Sequence, residues 1–429
     1  MREHRRHDSA SPDDPRPNGA RDRDRVLYCD PFRRLLGVTQ VVGAHEGLTF
    51  HNRLTHSMKV GQIARRLAED THRNFQPQQI DDLGGLDPEV AEAAALAHDI
   101  GHPPFGHATE RTLDELVRNE GCHDGFEGNA QSFRVITKLA FTKADPDTPP
   151  GLDLTRATLR AVLKYPWLRD LDSNNHPRID SDRSKKWSAY ETELEDFKFA
   201  MELQPADENQ RSLEAEIMDW ADDVTYAVHD LEDFYRANLI PLPTLIMDED
   251  TGSEFLTEVC RERNLDSELA QQAFQNLKVL LPDTPFIGTA ASIGRLSVMR
   301  SSLITTLLQA FEIDENGKVM VQPEGRTLAE ILKYLTRKFV IDAPSLNAQR
   351  YGHRRIITEL FDAYCDIGSK SGPNSTPLST PFFDRKFYLE CHSARRAADF
   401  IASLTDDQAI RLYRRITGQS LDSIHLPIA

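Results

Sequence analysis

Pro88-Glu-Val-Ala-Glu-Ala-Ala-Ala-Leu-Ala-His-Asp-Ile-Gly-His-Pro-Pro-Phe-Gly-His-Ala-Thr-Glu110 is a run of strong helix formers driven into Gly101 and Pro103-Pro104. Such a run predicts a buried helix that stops at the glycine and the prolines. His98 and Asp99 then fall on its last turn, His102 and His107 on the tight turn beyond, and Glu110 at the opening of the next helix. A lone His-Asp pair at a helix end is common as a cap. Three imidazoles and two carboxylates within fourteen residues are the nitrogen and oxygen donors that divalent ions take when they must also hold water or phosphate.

Upstream, residues 1–24 mix Arg, Asp, Pro, Asn and Gly with little to bury, which predicts a disordered tail with structure starting near Val26. Phe32, Leu35, Leu36, Val38 and Val41 suit a short helix and turn, with Gln40 among them. His51-Asn-Arg-Leu-Thr-His-Ser-Met opens an amphipathic helix near Asn52, with Leu54, Met58, Ile63 and Leu67 as its expected core face. Arg53 and His56 share one side of it; a guanidinium there can grip phosphate bidentately.

Downstream, Asn129 is the expected cap of a helix after Gly125-Phe-Glu-Gly, Thr142 to Pro150 a loop or small hairpin, and Gly151 to Lys164 a further helix. Asp170 to Ser188 reads as a surface loop. A long helix starts at Ser212, with Glu214 and Glu216 suited to its first turns, and Asp222, Tyr226 and Asp230 fall on one stripe of it. A carboxylate on a helix that also carries Ile217, Trp220, Val224 and Leu231 is among buried neighbours and needs a partner such as a metal. Helical periodicity continues over Asp266–Leu281, Ser292–Phe311, Thr327–Phe339, Ser345–Asp366 and Ser393–Thr417; Gly317-Lys-Val-Met-Val-Gln is the best strand candidate and Asp366–Phe382 a mobile loop. The fold class is therefore all-α, with at most a small β-hairpin. The best domain break is Pro241-Leu-Pro243, giving a core over 25–240 and a helical C-terminal region over 241–429.

The chain has 429 residues, a formal net charge of -17, 39% hydrophobic and 28% charged residues. Its length suits one large or two modest domains, and its acidity argues against a protein that coats nucleic acid. No stretch approaches the roughly 18 apolar residues of a membrane span, and the N-terminus lacks a signal-peptide core. Five scattered cysteines predict reduced thiols in the cytoplasm.

His56, His98-Asp99 and Asp222 form a spaced His…His-Asp…Asp set, and at that level the sequence resembles the HD superfamily of metal-dependent phosphohydrolases. Phe32-Arg-Arg-Leu, His51-Asn-Arg-Leu-Thr-His-Ser, His98-Asp-Ile-Gly-His-Pro-Pro-Phe-Gly-His-Ala-Thr-Glu, Gly125-Phe-Glu-Gly-Asn-Ala-Gln, Gly151-Leu-Asp-Leu-Thr with Lys164-Tyr-Pro, and Ala221-Asp-Asp-Val-Thr-Tyr with Asp230-Leu-Glu-Asp extend the match from about Tyr28 to Tyr364. They are similar to the deoxyguanosinetriphosphate triphosphohydrolase-like family; a generic HD hydrolase would lack the His102, His107 and Glu110 extension. The resemblance implies hydrolysis of dGTP or another dNTP to deoxynucleoside and tripolyphosphate. It makes His56, His98, Asp99 and Asp222 the ligands of a divalent ion, Mg²⁺ or Mn²⁺. It places Arg53 on phosphate, Gln40, Tyr226 and Asp230 around the deoxyribose, His102 on the α-phosphate, and His107, oriented by Glu110, as acid or base at the scissile bond. Asp222 is chosen over Asp223 because Tyr226 and Asp230 then fall at the family's +4 and +8 positions. The resemblance further implies a homo-oligomer, a C-terminal region that completes the nucleotide pocket and oligomer contacts, and a dNTP or single-stranded DNA effector. Gln349, in Ala348-Gln-Arg-Tyr-Gly-His, stands where many members carry Glu. The rivals are an HD hydrolase of another nucleotide phosphate ester, disfavoured by the deoxyribose set, and a slow nucleotide-sensing regulator, disfavoured by intact His107 and Glu110.

Overall fold

The computed structural model describes residues 1–7, 14–42, 50–141, 151–178, 181–203, 210–314, 319–369 and 391–419. They are predominantly helical, with one two-stranded hairpin, so the all-α expectation holds. The chain divides into two compact units.

Unit 1 holds α1 (Asn18–Tyr28), α2 (Asp30–Arg34), α3 (Arg53–Asn74), α4 (Pro77–Asp82), α5 (Pro88–Ala97), α6 (His107–Asn119), α7 (Gly128–Arg134), α8 (Arg156–Val162), α9 (Leu194–Met201) and the start of α10 (Leu213–Arg236). The predicted central helix is α5, with α1, α3 and α8 packed around it. Its five buried alanines let those helices approach closely, and Asp87 caps it by accepting from Glu89 N–H at 2.9 Å. Asn52 caps α3 as expected, accepting from Thr55 N–H at 2.9 Å. The core face of α3 differs from the expected one: Met58 is 51% exposed, and Arg53, His56, Ser57, Val60, Ile63, Ala64 and Leu67 are buried. Polar site residues occupy the inner stripe and displace the methionine outward.

Unit 2 holds the rest of α10, then α11 (Leu242–Met247), α12 (Glu249–Arg263), α13 (Ser267–Leu280), α14 (Ala290–Gln309), the antiparallel pair β1 (Phe311–Ile313) and β2 (Val319–Val321), and α15 (Pro323–Thr336). Phe311 pairs with Val321 and Ile313 with Val319, so the expected strand is present, with a partner that the sequence reading ran into the preceding helix. The chain re-enters unit 1 at Gln349, within α16 (Pro344–Ser369), and continues there with α17 (Ser393–Ser403) and α18 (Asp406–Ile416).

Three expectations are corrected here. Among the described N-terminal residues, 1–7 and 14–24, there is fixed structure where a disordered tail was expected: α1 starts at Asn18, and buried Arg5 donates to Asp22 Oδ1 and to the Asp153 carbonyl, both at 2.6 Å. Asp22 also accepts from Thr155 N–H at 2.8 Å. The segment's polarity is consumed in internal pairs, which composition reads as solvation. Second, the break at Pro241-Leu-Pro243 is not the boundary; the units divide after Met218 and Ala348. Residues from Gln349 onward belong with the HD turn because Ile357, Leu360, Phe361, Phe400 and Leu412 bury against Leu113, Val117 and Phe126. Third, the helix after Gly125 is capped by Glu127, which accepts from Asn129 and Ala130 N–H, rather than by Asn129. The expected loop at 142–150 lies outside the described residues; α16 runs to Ser369, and the rest of the expected mobile loop also lies outside them.

Candidate active site

The end of α5 delivers two site residues. His98 sits at its C-cap with Nδ1 2.6 Å from the Ala95 carbonyl. A carbonyl only accepts, so Nδ1 carries the proton and Nε2 the lone pair. The His56 and His98 rings are 5.8 Å apart, both buried, and each brings a nitrogen within 4.8 Å of the other. Asp99 accepts from Arg53 Nη1 at 2.5 Å and lies 3.0 Å from His102 Nδ1. Burial pushes the Asp99 carboxyl up, but Arg53, His98 and His102 outweigh it and hold it well below the usual range.

The turn that follows needs its glycines. A Cβ on Gly101 would lie 2.1 Å from Ser132 N, so only glycine lets α7 approach the turn. Phe105 and Gly106 both have positive φ, 65° and 68°, which swings His107 out as the first residue of α6. His102 is buried between Asp99 and Glu110, with Nε2 4.0 Å from Glu110. Burial and the Arg53 charge push its ring down to about 4, so it is neutral at pH 7.

His107 differs: its side chain is 70% exposed, and its Nδ1 lies 2.8 Å from Glu110 Oε2. Glu110 is buried, and its other oxygen accepts from Gly128 N–H at 3.2 Å and Lys186 Nζ at 3.0 Å. Burial raises this carboxyl, but the His107 hydrogen bond and Lys186 bring it well below the usual range. Lys186 also donates to Glu127 at 2.7 Å; there burial prevails, with Glu110's charge adding to it, and the Glu127 carboxyl is raised.

Sequence reasoning missed Lys186 because residues 170–188 read as a surface loop, and Glu127 because the turn before its helix was read with Asn129 as the cap. The available signal was Lys186-Trp-Ser: an aromatic in so polar a run is there to be buried, and Trp187 is buried. Arg53, expected on phosphate, has Nε on the Thr39 carbonyl at 3.2 Å and Nη1 on Asp99, while buried Nη2 has no hydrogen-bond partner among the described residues. Gln40 lies in unit 1 just before Val41 and is half-buried.

Asp222, Tyr226 and Asp230 belong to unit 2, on successive turns of α10, with Asp230 buried. Asp223 is engaged by Lys333 Nζ at 2.7 Å. Further along α10, Asp233 accepts from His51 N–H at 2.6 Å, and Glu232 from Arg300 at 3.0 Å. Gln349 lies on α16, next to the boundary between the units. The donor chemistry, buried imidazoles with an ionised carboxylate beside them, fits a divalent ion of borderline hardness. No helix among the described residues is long and apolar enough to cross a membrane.

Residues 53–227 match the HD domain, and residues 319–415 match the phosphohydrolase-associated domain. A deoxyguanosinetriphosphate triphosphohydrolase-like protein of Corynebacterium efficiens is 34% identical over 433 residues, covering 95% of this chain and 93% of the relative. The protein of the same description from Streptomyces coelicolor is 33% identical over 418 residues, 93% and 92% of the two chains. One from Brucella suis is 33% identical over 408 residues, 94% and 90% of the two. HD domains bind divalent metals and hydrolyse phosphate esters. With both domains in place and this identity running along nearly the whole of each relative, the chain belongs to the deoxyguanosinetriphosphate triphosphohydrolase-like family of HD-domain phosphohydrolases.

Proposed function

We propose that the protein is a metal-dependent deoxynucleoside triphosphate triphosphohydrolase, releasing deoxynucleoside and tripolyphosphate from dGTP or another dNTP. The observation that carries the reading is the His107–Glu110 pair: Nδ1 is held at 2.8 Å by a buried carboxylate on an exposed ring. That arrangement leaves Nε2 to face substrate and exchange its proton with solvent. The proton it delivers goes to the 5′-oxygen of the leaving deoxynucleoside, a poor leaving group without one.

His56, His98, Asp99 and Asp222 would hold the ion, Mg²⁺ or Mn²⁺. When bound it supplies the positive charge that activates water and offsets charge on the phosphoryl oxygens. Arg53 has one terminal nitrogen committed to Asp99 and the other, Nη2, to offer to a phosphate. Neutral His102 binds the α-phosphate. The family resemblance gives the deoxyribose to Gln40, Tyr226 and Asp230, polar groups of the kind by which a tight fit senses the 2′-position. The same resemblance supports a cytoplasmic homo-oligomer with a dNTP or single-stranded DNA effector.

The test is incubation with each dNTP and Mg²⁺ or Mn²⁺, followed by separation of products. Tripolyphosphate with free deoxynucleoside is expected. Orthophosphate or pyrophosphate as the primary product overturns the reading.

A further inference from the structure

Asp406 opens α18, three hundred residues from the HD turn. A first-turn acid ordinarily serves its own helix dipole, but both oxygens of this buried carboxylate are used elsewhere. Oδ1 accepts from Phe105 N–H at 2.8 Å. Oδ2 accepts from Thr39 N–H at 3.0 Å and from the Thr39 hydroxyl.

Each partner sits beside a working residue. Phe105 is the non-glycine residue at φ 65° that turns the chain toward His107, a strained conformation that persists only where its surroundings hold it. The Thr39 carbonyl accepts from Arg53 Nε at 3.2 Å, and Gln40 follows it. The surrounding contacts act in the same sense. Arg34 donates to the Leu404 carbonyl at 2.8 Å and to the carbonyls of Ile100 and His102 at 3.1 and 2.7 Å, tying the turn to the residue that precedes α18's cap. The Phe105 ring stacks on His353 of α16 at 4.0 Å.

The geometry points to Asp406 as a positioning residue for the hydrolysis: one carboxylate from the C-terminal helices fixes both the His102–His107 turn and the Thr39–Gln40 segment against Arg53. It touches no substrate and acts only through these segments. The inference rests on the function proposed above for its effect on rate, and on geometry alone for its effect on the turn.

The experiment compares Asp406→Asn with Asp407→Asn, an exposed acid in the same first turn that pairs with Arg411. An amide keeps one acceptor oxygen where three donors converge. Asp406→Asn should keep full metal content and KM within a fewfold, while kcat falls about ten- to a hundredfold, the range for partners that orient functional groups. Amide exchange over 100–107 and 38–42 should accelerate in the metal-free, substrate-free protein; Asp407→Asn should change none of these. Thr39→Val should reproduce part of the loss and combine with Asp406→Asn less than additively. Wild-type kcat and wild-type exchange in Asp406→Asn overturn the inference. So does faster exchange confined to 393–416 with kcat per folded molecule unchanged, which makes Asp406 a helix cap. Because exchange is read without substrate, a wild-type enzyme that makes no tripolyphosphate sinks the proposed function and leaves this test standing.

Discussion

His98 and His107 bracket one turn, and each has its Nδ1 engaged by an oxygen: the Ala95 carbonyl at 2.6 Å for the first, the Glu110 carboxylate at 2.8 Å for the second. Their surroundings differ. His98 is 4% exposed, whereas the His107 side chain is 70% exposed. A neutral carbonyl fixes which nitrogen carries the proton without favouring the charged ring, which suits a ligand; a carboxylate suits a ring that must carry charge during a step. Tautomer is therefore set the same way at both ends, and burial together with the partner's charge separates metal holding from proton transfer.

The largest expected effect is loss of the ion. Asp222→Ala should abolish both metal binding and turnover, whereas Asp223→Ala should keep its metal, because Asp223 already answers Lys333. Metal analysis of the two variants checks this, and the opposite ranking would place the ligand one residue along α10. At the exposed end the expected loss is smaller and of another kind. His107→Ala should retain metal and dNTP binding but lose on the order of 10²- to 10⁴-fold in kcat, the usual contribution of a positioned acid. Glu110→Gln should lose less, about ten- to a hundredfold, since it orients the ring without handling the proton itself. Metal counts, nucleotide titration and steady-state rates distinguish the cases: loss of metal in His107→Ala would make both imidazoles ligands and erase the contrast.

How much of this was legible depended on whether the signal was local. The Asn52 cap and the α10 stripe are short-range patterns, and the structure has them where the sequence puts them; the stop of α5 is also local, though the helix ends at Ala97 with His98 as its cap, about one turn before Gly101. Polar residues that pair over long distances were not legible. Arg5, read into a tail, pairs with Asp22 and Asp153, and Lys186, read into a surface loop, pairs with Glu110 and Glu127; Asp406 with Thr39 and Phe105 left no local pattern to read, because the partners are distant in the chain. The same blindness put a boundary at Pro241: a turn signal is local, but the apolar faces of α16–α18 show which unit they join only once Leu113 and Phe126 are set against them. Motif resemblance supplied the roles of Arg53 and Gln40, which periodicity could not.

The smallest effect expected is the one that Lys186 controls, and it concerns pH. Burial pushes the Glu110 carboxyl up; the His107 hydrogen bond and the Lys186 charge, 3.0 Å away, hold it well below the ordinary range. A rate that needs ionised Glu110 is complete above that carboxyl's pKa and is lost as pH falls through it. Glu127, which shares the lysine, is raised by burial and by Glu110's own charge. Lys186→Met removes the cation between the two buried carboxylates, and without it they do not both stay ionised near neutrality. Glu110 then titrates higher, and the acid limb of the kcat profile moves toward neutral pH, while the rate on the alkaline side stays within about tenfold of the wild type. A pH–rate profile of the variant checks the direction. An unmoved acid limb with a uniform loss across pH would show instead that Lys186, 40% exposed, acts on the substrate rather than through Glu110, and the exposed end would then bind phosphate as well as move a proton.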